Sequence, residues 1–234
     1  AFATPPGKSA IAVLRLSGPS LNNIFFSITG KRAVEKRAEF SQIYNPSNNK
    51  LIDEVIAIYF KGPKSFTGED VIEISCHGSE PIKKILYKYI LSLGFRKAEP
   101  GEFSLRAFLN GKMDLIRAEG IASLINAQTS LQAEASINHV SGKISNNIAN
   151  IKLNLINLLS IIENELNFSE DEISITTSNN IKIQIQKVVN NINDIKNTTL
   201  AGKSLFSGVR VVLYGKPNSG KSTLFNSLLG TERV

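Results

Sequence analysis

The sequence predicts three consecutive parts: an α+β N-terminal sheet domain, an incomplete α-helical bundle, and the first β-strand, phosphate-binding loop and helix of a further α/β domain. Three observations predict them. Over residues 1–100, short apolar runs of strand character interleave with stretches of helical spacing, as in one mixed sheet domain. From Pro100 onward strand patterning stops, and apolar residues step by three or four. Near the end, a β-branched run leads into Gly215-Lys-Pro-Asn-Ser-Gly-Lys-Ser222 and then a helix-compatible stretch. The parts fall at about 1–113, 114–207 and 208–234.

In the first part, Ala10–Leu16 reads as a strand, punctuated by Gly18-Pro19-Ser20. Leu21, Ile24, Phe25 and Ile28 lie at helical spacing, and Gly30 stops that helix. Strands follow at Ala38–Tyr44, Ile52–Phe60 (partly buried on both faces) and Val71–Ser75. Pro81 opens a helix through Leu91, Gly94 ends it, and Phe95–Lys97 is read as a closing strand.

In the second part, Phe103–Leu109 is a short helix closed by Asn110-Gly111. Asp114 caps a helix to about Ala127, with Leu115, Ala118, Ile121, Ala122 and Ile125 on one face. Thr129-Ser-Leu-Gln132 reads as a capping box that starts one long helix, its stripe running from Ile137 to Leu166. The pattern breaks at Asn167–Glu172, resumes from Ile181 to Ile195, and Gly202–Gly208 is read as a link. Two long apolar stripes call for further helices to cover them. The chain is therefore expected to be the N-terminal portion of a longer protein.

Composition excludes some classes. Of the 234 residues 42% are hydrophobic and 20% charged, and apolar runs fall short of the ~20 residues a membrane span needs. Cys76 is the single cysteine, so no internal disulfide forms, which suits a cytoplasmic location. The net charge of +7 is compatible with a nucleic-acid partner, although the lysines are scattered.

The strongest chemical signal is the loop Gly215–Ser222. Its glycines let the backbone approach a polyphosphate, and the following helix N-terminus faces the phosphates with partial positive charge. Lys221 is placed to reach the β- and γ-phosphates, and Ser222 to ligate Mg²⁺. Three other stretches are dense in polar residues. Arg15 sits mid-strand, either facing the core, where it needs an anionic partner, or lying on the solvent face. Glu73 in Ser65–Gly78 is a candidate buried and paired charge. With only His139 besides His77 and no second cysteine, Cys76 and His77 read as structural. Pro100–Leu115, containing Lys112, lies at a domain junction, a favoured place for ligand clefts.

The set ATPPG…RLSG, SFTGEDVIEISCHG, PGEFSLRAFLNGKMDL…AE, FSEDEI and GKPNSGKSTLFNSLLG, in this order, closely resembles the MnmE (TrmE) family of tRNA-modification GTPases. The resemblance implies a folate-binding domain that forms a homodimer, a helical domain, and a G domain inserted within the latter. It places a tetrahydrofolate derivative at Arg15, Glu73 and Lys112, and GTP at Asn218, Ser219, Gly220, Lys221, Ser222 and Thr223. It makes Asn218 a K⁺ ligand and Ser222 the Mg²⁺ ligand. It further implies modification of the tRNA wobble uridine with an aminomethyl-type group at C5. A flavoprotein partner, MnmG, carries the FAD.

The switch segments, the DxxG and NKxD elements and the C-terminal cysteine motif of the family are not among these residues, and Cys76 does not match that cysteine. No catalytic residue is therefore expected here, and the chain is expected to bind reduced folate and dimerise without hydrolysing GTP. Two other readings are a ribosome-assembly GTPase of the same P-loop superclass, which leaves SFTGEDVIE and PGEFSLRAFLNGK without a role, and a stand-alone folate-binding module.

Overall fold

The computed structural model describes residues 1–46, 48–167, 178–207 and 211–230. The chain divides into two compact units, Ala1–Glu119 and Gly120–Val234.

The first unit holds β1 (Ser9–Gly18), α1 (Asn22–Thr29), β2 (Ala38–Tyr44), β3 (Leu51–Phe60), β4 (Asp70–Gly78), α2 (Glu80–Ser92) and α3 (Glu102–Leu109). Its strands form an antiparallel sheet in the order β1-β4-β3-β2. Strand alternation decides what each face carries. Leu14 and Leu16 of β1, Val55 and Ala57 of β3, and Ile72 and Ile74 of β4 are buried, packed in one core with Phe25 and Ile28 of α1 and Leu86 and Ile90 of α2. The intervening residues form the opposite face, where Ile58 and Phe60 are half-buried and Ile56 is 47% exposed.

Local signals set the helix ends. Gly30 adopts a left-handed φ of 68° and donates its N–H to Phe26 O at 2.8 Å, closing α1. Ser79 Oγ accepts from the Ile82 N–H at the start of α2, and Pro81 sits in its first turn.

The expected strand at Phe95–Lys97 does not form. The position beside β1 is occupied by residues 1–3: the Ala3 N–H donates to Val13 O, the Arg15 N–H donates to Ala1 O, and Phe2 bridges Leu14. With that edge already paired, Phe95 instead packs its ring against the core.

The helices that follow are α4 (Leu115–Ile125), α5 (Ser130–Val140), α6 (Lys143–Asn167), α7 (Ser178–Ser207) and α8 (Lys221–Leu229). Asp114 Oδ1 accepts from the Arg117 N–H at 2.9 Å, the expected cap of α4. The apolar face expected on α4 is not the buried one: Leu115 and Ile125 are largely exposed, and Gly120 is buried. There α5 comes so close that a Cβ on Gly120 would lie 2.7 Å from His139 Cβ.

Thr129 caps α5, with Oγ1 accepting from the Gln132 N–H at 3.2 Å. The single long helix expected from Thr129 to Leu166 is two helices. Gly142, at a left-handed φ of 81°, breaks it, and its N–H turns back to His139 O at 3.1 Å. The apolar stripe survives the break because it is a property of spacing, whereas the break is a property of one backbone position.

The link expected at Gly202–Gly208 is also corrected, since α7 continues through Ser207. The pattern break beyond Asn167 and the FSEDEI stretch lie outside the described residues, as do Gly208, Val209 and Arg210. Residues 211–214 are not a strand, and Tyr214 is 99% exposed. A strand is held by ladder bonds to neighbours, and among the described residues none lies beside this segment.

Candidate functional site

The sequence-predicted residues gather at two places, each within one unit. In the first unit, Arg15 of β1 and Glu73 of β4 are direct register partners. Both point to the face opposite α1 and α2, so the two alternatives for Arg15 combine: it lies outside the core and is paired. Arg15 Nε donates to Glu73 Oε1 at 2.8 Å, and Nη2 lies 2.6 Å from the same oxygen. The side chains are 27% and 26% exposed. The guanidinium also lies 5.5 Å from the Phe66 ring centroid and 5.8 Å from that of Phe103. Glu73 Oε2 has no partner among the described residues and remains available as an acceptor.

Lys112 reaches the same region through the β3–β4 loop that carries Phe66. At Gly68, with φ 82°, an added Cβ would lie 3.1 Å from Lys112 Cγ and 3.0 Å from Asn110 Cβ. The Lys112 stem therefore lies against bare backbone. Asn110 Nδ2 donates to Thr67 O at 2.7 Å, and the Lys112 N–H donates to Ala107 O at 2.8 Å. Among the described residues no carboxylate pairs with the Lys112 ammonium.

Around these residues runs a charged network that sequence reasoning missed. Ser17 Oγ donates to Glu69 Oε2 at 2.9 Å and lies 2.7 Å from Thr67 Oγ1. Arg106 Nη1 donates to both oxygens of Glu69 at 2.9 Å, while its Nε and Nη2 donate to Glu102 Oε1 at 3.0 and 2.8 Å. Arg96 closes the chain on Glu102. Bonds from Arg96, the Glu99 N–H and Arg106 hold the Glu102 carboxyl far below the usual range. Arg106 is raised, first by its bond to Glu102. A cavity of about 270 Å³ opens here, bordered by Arg15, Ser17, Phe103 and Arg106. Glu69, Thr67, Glu102 and Arg106 all lie inside the polar-dense stretches, and that density was the available signal.

Asp70 ties this loop to the core. Its carboxylate accepts from the Leu21 N–H, the Gly62 N–H and the Tyr59 hydroxyl at 2.9, 2.9 and 2.8 Å. Burial pushes the carboxyl up, but these three donors reverse that and leave it below its ordinary value. Tyr59 is pushed up to about 12, first by burial and then by the bond to Asp70.

Cys76 and His77 fit their structural reading. Cys76 is buried, its Sγ donating to Ala12 O, and burial pushes the thiol up to about 11. His77 Nδ1 lies 2.6 Å from Asp53 Oδ1. No group of three or more His, Cys, Asp or Glu side chains suited to a metal occurs among the described residues, and no helix there is long and apolar enough to cross a membrane.

In the second unit, Asn218, Ser219, Gly220, Lys221, Ser222 and Thr223 lie at the N-terminus of α8. Asn218 and Gly220 take left-handed φ values of 61° and 78°, so the loop curls before entering the helix. Lys221 Nζ folds back to donate to Lys216 O at 2.7 Å. No side chain of α8 is buried.

Residues 1–112 match the family model of the GTP-binding protein TrmE N-terminus, and residues 115–229 match the MnmE helical domain. The tRNA modification GTPase MnmE of Legionella pneumophila (strain Philadelphia 1) is 41% identical over 99% of this chain and 52% of its own length. That of Aquifex aeolicus is 40% identical over 100% of this chain and 52% of its own length, and that of Blochmanniella pennsylvanica is 40% identical over 100% and 50%. The chain thus spans about half the length of the curated relatives it matches. With two family models covering nearly all of it and relatives aligned along its whole length, the chain belongs to the MnmE (TrmE) family of tRNA modification GTPases.

Proposed function

We propose that this chain is the folate-binding and G-domain-opening part of an enzyme that uses GTP to modify the wobble uridine of tRNA. The product carries an aminomethyl-type group at C5, made with a FAD-bearing flavoprotein partner of the MnmG type. The observation that carries the folate part is the Arg15–Glu73 pair on the open face of the sheet, flanked by Phe66 and Phe103.

The residues fit a reduced folate chemically. Glu73, whose Oε1 is held by Arg15, accepts from the amino and ring N–H donors of a pterin through its other oxygen. Lys112, which has no carboxylate partner among the described residues and whose stem lies against Gly68, suits a folate glutamate carboxylate. The folate supplies a one-carbon unit when bound. The chain's own residues bind and orient it, and the Ser17–Glu69–Arg106–Glu102 network keeps the walls of the site in place.

We assign residues 1–113 to the folate-binding and dimerising domain, 114–207 to the first half of the helical domain, and 208–234 to the start of the G domain. The homodimer reading is supported by the open sheet face, where Phe40 and Ile56 stand exposed side by side. Exposed Leu155, Leu159, Ile185 and Ile192 on α6 and α7 support a bundle that further helices complete. In the loop, Lys221 and Ser222 would hold the phosphates and Mg²⁺ of GTP, Asn218 a K⁺ ion, and Ser219, Gly220 and Thr223 the phosphates through backbone amides. The exposed α8 and the unpaired segment 211–214 support a chain that does not turn GTP over by itself.

Titration of tetrahydrofolate into the 234-residue chain tests the reading. Arg15→Ala and Glu73→Ala are each expected to weaken binding by about 10- to 100-fold, the loss of a charge-assisted hydrogen bond. No binding by the parent chain, or binding unchanged in both variants, would reject the site. Measurable GTP turnover by the chain alone would overturn the reading of an incomplete catalyst.

A further inference from the structure

A second and larger cavity, of about 530 Å³, adjoins the first. One wall is α2, whose Lys84, Tyr87 and Lys88 are spaced to share a helical face. The opposite wall is the Pro5-Pro6 loop, pinned where Lys83 Nζ donates to Gly7 O at 2.7 Å and the Gly7 N–H donates to Glu80 Oε1 at 3.2 Å. Phe2 stacks on Tyr87 with ring centroids 6.2 Å apart, and Lys97 stands on the rim. None of Lys84, Lys88 and Lys97 is ion-paired among the described residues, and Glu80, the one carboxylate at this cavity, already holds Lys83 and Gly7. Such a groove invites an extended anion with apolar stretches between its charges.

Two features connect this groove to the cavity at Arg15. Ala1 borders both, and Arg96 at the first cavity is followed directly by Lys97 at the second. We infer that Lys84, Lys88 and Lys97 hold the poly-γ-glutamate tail of the folate, so that the ligand of this chain is a polyglutamylated tetrahydrofolate. The inference rests on the reading that the folate binds at Arg15, Glu73 and Lys112, with its pterin on Glu73.

The spacing agrees. A γ-linked glutamate presents one α-carboxylate every five chain bonds, roughly 6 Å when extended. Side chains four apart on a helix stand at about the same interval. Lys84 and Lys88 therefore match successive carboxylates, and the methylenes between them lie on Phe2, Pro5 and Tyr87. An RNA backbone would also seek these lysines, but nothing in its chemistry requires the groove to continue from the cavity at Arg15.

The test is a calorimetric titration of the full 234-residue chain with tetrahydrofolate carrying one, three or five glutamates. The dissociation constant should fall about threefold for each of the first two or three added residues at low salt, an effect that salt screens. The combined Lys84→Ala, Lys88→Ala and Lys97→Ala variant should flatten that series while leaving the monoglutamate affinity unchanged. A flat series in the parent chain, or a series the triple variant leaves intact, overturns the inference. So does a triple variant that loses RNA binding and keeps the folate series, since the lysines would then belong to an RNA surface. Failure of every form to bind, the monoglutamate included, rejects the folate site itself and this inference with it.

Discussion

Replacing Gly120 by alanine tests how closely α4 and α5 are packed. The new Cβ would sit 2.7 Å from His139 Cβ, 3.0 Å from Val140 N and 3.2 Å from His139 C. Carbon atoms prefer about 3.5–4.0 Å, so the helices must part by most of an ångström. Two of the three atoms met are backbone and the third is a Cβ, so no side-chain rotation relieves the clash. Overpacking of this kind costs about 1–3 kcal/mol, and alanine's better helix propensity returns up to about 1 kcal/mol. The net loss is about 1–2 kcal/mol. For a unit of this size that lowers Tm by roughly 5–10 °C. Thermal melts followed by far-ultraviolet circular dichroism read it directly. A Gly120→Ala chain with an unchanged or higher Tm would show that α4 and α5 do not touch at this point.

Tyr59→Phe removes the hydroxyl that donates to Asp70 and should cost about 1–2 kcal/mol in denaturant unfolding. In the parent chain the folded phenol titrates near 12, above its ordinary 10, so folding favours the neutral form; stability is full below pH 10 and falls as pH rises from there towards 12. The variant should lose that alkaline decline, and a decline of equal slope in Tyr59→Phe would assign it to other groups. Cys76, with its thiol near 11, should resist iodoacetamide at neutral pH in the native state and react readily once unfolded, as mass spectrometry would show; rapid native labelling would contradict its burial.

What the sequence made legible follows the range of the physics involved. Strands β1 to β4 and helix α2 announce themselves through alternation, helical spacing and Pro81, all local signals. The closing strand at Phe95–Lys97 failed because its place depends on residues 1–3, almost a hundred positions away, which had already paired with β1. Gly142 broke the long helix although the stripe around it read as continuous. Hydrophobic spacing reports which face is apolar and says nothing of one residue's φ. The same limit applies to the site. Arg15 and Glu73 stood out as charges inside apolar strands, and register then made them partners. Glu69, Glu102 and Arg106 did not stand out, because a charge in a loop or on a short helix is ordinary until tertiary structure shows what it holds. At the other end, Gly215–Ser222 was the plainest motif of all, yet the described residues before it, 211–214, form no strand. The motif encodes a turn, whereas a strand needs neighbours.

The open face of the sheet bears on the proposed homodimer. Phe40 of β2 and Ile56 of β3 are register partners there, 58% and 47% exposed, with Ile58 beside them. β3 is an interior strand, so edge pairing cannot cover these side chains; only a surface laid across the sheet can. If that surface is a second copy, two-fold symmetry brings each residue to the interface twice. Burying the exposed half of one isoleucine contributes about 1 kcal/mol, hence about 2 kcal/mol per dimer, and a lysine in its place adds the cost of desolvating two charges. Ile56→Lys should therefore raise the dimer dissociation constant at least about 100-fold in sedimentation equilibrium. Because Ile56 lies outside the buried core, the monomer's melting temperature should hardly move. A variant that dimerises as tightly as the parent would show that this face is not the one two copies share.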